Sequence, residues 1–217
     1  QRQFDDVFAR AALAEPQGDA ARFEHLWLQL DALHEAGKGQ AAVDLALRHE
    51  DWLRRPPAGK QSLAITARLN LQDLLLARGQ LADAAARMPD LRREVARLFP
   101  GASLMQGWVH ELAADLAQAQ GDLPAALTDA QAARRLKIEV LGPASPDVLH
   151  AELRLSRLAL QGGDVAGARR WVDAAAQRLQ DPAQGSSQEA RPRAVHWQAL
   201  RVAVAECRTD AARAAWP

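Results

Sequence analysis

The sequence predicts an all-α fold, an α-α superhelix built as a right-handed stack of antiparallel helix pairs. Three observations predict it. First, Gly37, Gly79, Gly121 and Gly163 are each separated by 42 residues, in a chain with only 13 glycines among 217 residues. Second, each of these glycines is followed five residues on by an alanine: Ala42, Ala84, Ala126 and Ala168. Third, the segments between the glycines carry apolar residues at i, i+3, i+4 and i+7, as in Leu26, Leu30, Leu33 and in Leu71, Leu74, Leu75, and nowhere show the alternation of a strand. Self-similarity at such a period marks a repeat architecture, in which one unit cannot bury its apolar face alone and stacked neighbours can.

Each mark has a physical role. The glycine ends a helix where the turn needs a left-handed residue. The alanine then falls one turn into the next helix, where a small side chain lets the two helices approach closely. After three of the four glycines an aliphatic stands two residues on (Leu81, Leu123, Val165), whereas the first repeat departs with Gly39. A second set of breakers follows about half a period later: Pro57 to Gly59, Pro100–Gly101, Gly142–Pro143 and Gly185. Two turns taken from 42 residues leave two helices of about 17 residues and about 25 Å each.

In order, an incomplete leading helix is expected over 4–14. Helix pairs follow at 19–36 with 39–54, 60–78 with 81–98, 103–120 with 123–141, and 146–162 with 165–180. A further helix at 188–205 and a short one from 209 bring the count to ten or eleven. The corresponding repeats are 19–59, 60–101, 102–143 and 144–185, with partial elements at 1–18 and 186–217, all in one solenoid domain. The run from Asp181 to Gln188, DPAQGSSQ, falls where the period places a turn.

Composition narrows the function classes. Hydrophobic residues make up 48% and charged residues 25%, enough apolar material for a core. The 27 basic and 27 acidic residues cancel, which speaks against nucleic acid as a partner and against adsorption to an anionic membrane. No apolar run is long enough to span a bilayer. The one cysteine, Cys207, can make neither an internal disulfide nor a cysteine metal site, and it points to the cytoplasm. Arginine dominates the basic residues and alanine is abundant, a bacterial composition. The chain opens on Gln1 rather than Met, which reads as a piece of a longer protein.

The segment from Gly121 to Arg170 resembles the long, 42-residue tetratricopeptide repeat of kinesin light chains and many bacterial proteins. The residues that carry the likeness are Gly121, Asp122, Leu123 and Ala126, then Leu141, Gly142 and Pro146, then Gly163, Asp164, Val165 and Ala168. Two positions depart from the family. The first-helix aromatic position holds Leu26, Arg68, His110 and Glu152, and the position one turn later, where a small residue is expected, holds Leu30, Gln72, Ala114 and Ser156.

The resemblance implies a concave surface lined by the first helix of each pair. Candidate partner-binding residues there are Glu24, Trp27, Asp31 and His34; Asn70 and Asp73; Trp108, Glu111, Asp115 and Gln118; and Arg154 and Arg157, with Thr66 and His150 flanking. Asp31, Asp73 and Asp115 recur at the 42-residue spacing and suggest an acidic ladder that turns basic at Arg157. A protein or peptide with a basic segment suits it, with Trp27 and Trp108 as exposed anchors, because indoles and guanidiniums dominate binding hot spots. Solvated surface charge, or pairing to arginines of a neighbouring repeat, explains the same residues more plainly. Trp171 is expected on the outer surface, and Arg92–Arg93 with Arg134–Arg135 on an outer basic stripe.

Chemistry is not expected. The six histidines show no ligand spacing, and no HExxH, GxSxG, Walker A or CxxC motif occurs. No catalytic, cofactor-binding or metal-binding residue is assigned. The expected role is a protein-interaction scaffold, the sensory or docking region of a larger bacterial regulator. The alternatives are a substrate-presenting adaptor for a separate modifying enzyme and a homo-oligomerisation unit pairing through end helices.

Overall fold

A computed structural model describes residues 18–179. Among them are nine helices and no strand: α1 (Asp19–Glu35), α2 (Gly39–Arg48), α3 (Glu50–Arg54), α4 (Gln61–Ala77), α5 (Leu81–Leu98), α6 (Leu104–Ala119), α7 (Leu123–Leu141), α8 (Pro146–Gln161) and α9 (Val165–Leu179). The expected helices at 4–14, 188–205 and beyond 209 lie outside the described residues, as do Cys207, Trp197 and Trp216. The chain divides into two compact units, Gln1–Leu98 and Phe99–Pro217.

The four periodic glycines do what the pattern requires. All have positive φ, between 66° and 81°, a region that costs a residue without Cβ little. At each, two hydrogen bonds close the same turn: Gly37 N–H to His34 O and Lys38 N–H to Leu33 O, repeated at Gly79–Gln80, Gly121–Asp122 and Gly163–Asp164. This is the Schellman arrangement, which satisfies carbonyls that a helix end otherwise leaves open. The four alanines that follow are all buried, at 0–2% exposure. Gly39, the departure in the first repeat, lies where an added Cβ would meet Leu74 Cδ2 at 3.2 Å, so its missing side chain lets α2 approach α4.

In unit 1, α1 packs on α2 and α4, and α4 packs on α2, α3 and α5. The core holds Phe23, Leu53, Ile65, Leu75 and Leu91, all under 2% exposed or close to it. Each such side chain stabilises the fold by about 1.5–3 kcal/mol. The single helix expected over 39–54 is instead broken. His49, at φ −112° and ψ 20°, ends α2 and starts α3. The restart buries Leu53 and sets Trp52 against Phe23, with ring centroids 6.2 Å apart.

In unit 2, α6 packs on α7, α7 on α8, and α8 on α9. Ala114, Ala117, Ala126 and Ala130 meet Leu155 and Leu158 in one cluster, and small side chains on α6 and α7 bring those helices together. Side chains cap the helix starts. Ser103 accepts from Gln106 N–H, Asp122 from Ala125 N–H, Ser145 from Asp147 N–H and Asp164 from Gly167 N–H, at 2.8–3.2 Å.

Candidate functional site

The residues that replace the repeat's usual pattern are structural rather than displayed. At the position one turn along the first helix, Leu30, Gln72, Ala114 and Ser156 are all buried. Gln72 and Ser156 bridge to the second helix of their own pair, donating to the carbonyls of Ala84 (2.9 Å) and Ala168 (3.0 Å). At the aromatic position, three of four residues are polar, and each meets an opposite charge or acceptor. Arg68 donates to Asp90 at 3.1 Å, His110 Nδ1 lies 2.7 Å from Asp129, and Glu152 accepts two bonds from Arg134 at 2.7 and 3.0 Å.

Two surface expectations are corrected by these contacts. Trp171 is half-buried, packed against the alanine–leucine cluster of unit 2. The Arg134 guanidinium sits 5.0 Å from its ring centroid. Arg134 is therefore no part of an outer basic stripe: it reaches inward to Glu152 and over Trp171, while Arg135 stays exposed. The cause is burial, because a fully buried carboxylate needs a charged partner and Arg134 supplies one.

The candidate binding residues separate by unit. In unit 1, Glu24 is exposed and ion-paired to Lys60. Trp27 and His34 are half-buried, and Trp27 Nε1 and His34 Nδ1 are buried without a hydrogen-bond partner. Trp27 is thus less displayed than expected. Asp31 is half-buried, Asn70 half-buried and Asp73 exposed. Among the described residues, neither Asp31 nor Asp73 forms a salt bridge or side-chain hydrogen bond. Both stand at one repeat position of α1 and α4, which pack together.

In unit 2 the same stripe is largely satisfied internally. Asp115 pairs with Arg154, so a third free rung of the acidic ladder is absent and Arg154 is not available as drawn. This is the pairing to a neighbouring repeat that competed with the ladder reading. Glu111 accepts from the buried Lys137 at 2.5 Å, and Gln118 donates to Gln161 at 2.8 Å. Trp108, 39% exposed, and Arg157 remain on the surface.

Sequence reasoning missed the charge cluster of α3, α4 and α5. Arg54 and Arg87 both meet Glu50, at 3.4 and 3.2 Å, and Arg54 and Arg68 share Asp90, at 3.7 and 3.1 Å. Burial pushes the Arg68 guanidinium below its ordinary value, against the opposing pull of Asp90. The signal was present as an arginine at an aromatic position, but nothing in the spacing named its partners. Among the described residues no group of three or more His, Cys, Asp or Glu is placed to hold a metal ion, and no helix is long and apolar enough to cross a membrane.

No protein-family model matches the chain, and no curated protein does. Among solved structures, BtubC (BKLC) from P. vanneervenii, a bacterial kinesin light chain-like protein, superposes with a TM-score of 0.66 at 16% identity, covering 98% of this chain and 87% of that one. At that identity the likeness concerns the fold, and the fold it supports is a tetratricopeptide-like helical repeat.

Proposed function

We propose that this chain is a protein-interaction scaffold that acts in the cytoplasm by binding rather than catalysis, and that a basic segment of a partner lies on the first-helix face of unit 1. The observation that carries the reading is the contrast between equivalent aspartates. Asp31 and Asp73 have no partner among the described residues, whereas Asp115 is already paired. A carboxylate held at a fixed place on a rigid helix, with no internal cation, can offer a charge-assisted hydrogen bond to lysine or arginine at little reorganisation cost. The helical-repeat fold supports the general role.

The test is affinity capture of partners with the wild-type chain and with an Asp31→Asn, Asp73→Asn double variant, read by mass spectrometry. The variant is expected to keep its helical circular dichroism and lose specific partners. An unchanged partner set rejects the basic-segment reading. A mass that grows with protein concentration would favour self-association instead.

A further inference from the structure

The third repeat departs from the others in one layer of its α6–α7 contact. Phe23, Ile65 and Leu149, all buried, stand at the repeat position that Gly107 takes in α6. Leu53 and Val95, also buried, stand where α7 has Lys137. Trp27, Leu69 and Leu153 stand where α6 has Glu111. One large apolar side chain is therefore missing, and a cation and a carboxylate take the places of two more.

The three replacements fit one another. A Cβ added at Gly107 would meet Leu136 Cβ and Lys137 Cγ at 4.0 Å, so the Lys137 stem runs over the space that the glycine leaves. Long cationic side chains bury their stems in this way while the head seeks a polar partner. Here the head finds Glu111 at 2.5 Å. Lys137 is 4% exposed, and a cation at that depth is stable only when paired. Glu111 is thus held in place by the cost of leaving Lys137 alone. It lies one turn beyond the exposed Trp108 on α6. The other carboxylate of α6, Asp115, is engaged by Arg154.

An exposed indole beside an unpaired carboxylate would take lysine or arginine, through the ring face and a charge-assisted hydrogen bond. We infer that Lys137 is a specificity-determining residue: by holding Glu111 from α7, it keeps basic segments off the first-helix face of unit 2. The inference rests on the reading of that helix face as a surface for basic segments, and it gives the cause of the difference between the units.

The experiment titrates the intact chain with an end-capped tetra-arginine peptide and follows the Trp108 indole N–H by NMR, the signal being identified by its loss in Trp108→Phe. In the wild type the Trp108 signal is expected to stay in place. In Lys137→Met, which puts an apolar side chain where Leu53 and Val95 stand, it should shift saturably, with an affinity about tenfold or more above the wild type. Glu111→Gln added to that variant should abolish the shift. Lys137→Leu covers any folding defect of the methionine variant. A Trp108 signal that moves in the wild type as it does in Lys137→Met, or that moves in neither lysine variant, overturns the inference. Failure of the unit 1 reading shows separately, as wild-type peptide binding that the Asp31→Asn, Asp73→Asn double variant leaves unchanged.

Discussion

The two units share one 42-residue plan and treat their polar groups in opposite ways. In unit 2 the four helix starts are capped by Ser103, Asp122, Ser145 and Asp164, and its buried Glu152 accepts two hydrogen bonds from Arg134. In unit 1 the starts of α1, α2, α3 and α4 have no side-chain cap, and Asp90 is shared by Arg54, Arg68 and Arg93. The backbone turns are the same in both. The period therefore fixes where helices stop, and leaves open how each helix start and each interior charge is satisfied.

The sharpest way to break the comparison is at Glu152. Glu152→Ala leaves Arg134 without its carboxylate at the edge of a packed core, and the loss is expected to be about 3 kcal/mol or more. Chemical denaturation of the whole chain measures it. Arg54→Gln, in the shared and half-exposed network of unit 1, is expected to cost about 1 kcal/mol or less. Equal losses would mean that the two kinds of pairing are not different in strength.

A smaller effect probes the shared plan. Ala126 is fully buried in the alanine–leucine cluster, so Ala126→Leu should overpack and destabilise by about 1–3 kcal/mol. An unaltered melting curve would mean the α6–α7 approach does not depend on a small residue there.

The smallest effects concern the caps, and they run in opposite directions. Asp122→Ala should cost about 1 kcal/mol, seen as faster amide exchange in the first turn of α7. Gln80 occupies the same repeat position ahead of α5, but its Oε1 is buried without a hydrogen-bond partner. Gln80→Asp should shorten the side chain to capping length and slow exchange at the start of α5, a gain of up to about 1 kcal/mol. No change at either end would show that the capping contrast is cosmetic.

Much of the fold was legible. The helices expected at 81–98 and 123–141 match α5 and α7 to the residue, and the other ends differ by at most one residue apart from the break at His49. Glycine, alanine and leucine report on backbone and packing, which repeat. The site was less legible, because pairing depends on which side chains reach across helices. Arg68–Asp90, His110–Asp129 and Glu152–Arg134 span 22, 19 and 18 residues, separations that a 42-residue period does not encode. For the same reason the aspartates looked alike in sequence, although Asp115 is engaged by Arg154.

The four left-handed glycines carry a consequence for how such a chain can change. Each hairpin closes on bonds made by its own neighbours in sequence, with no help from distant parts of the molecule. A block cut at one of these glycines and spliced in at another would bring its own stop with it. Recombination or a designer could then lengthen or shorten the array without solving a new loop, leaving only the facing helix surfaces to be refitted.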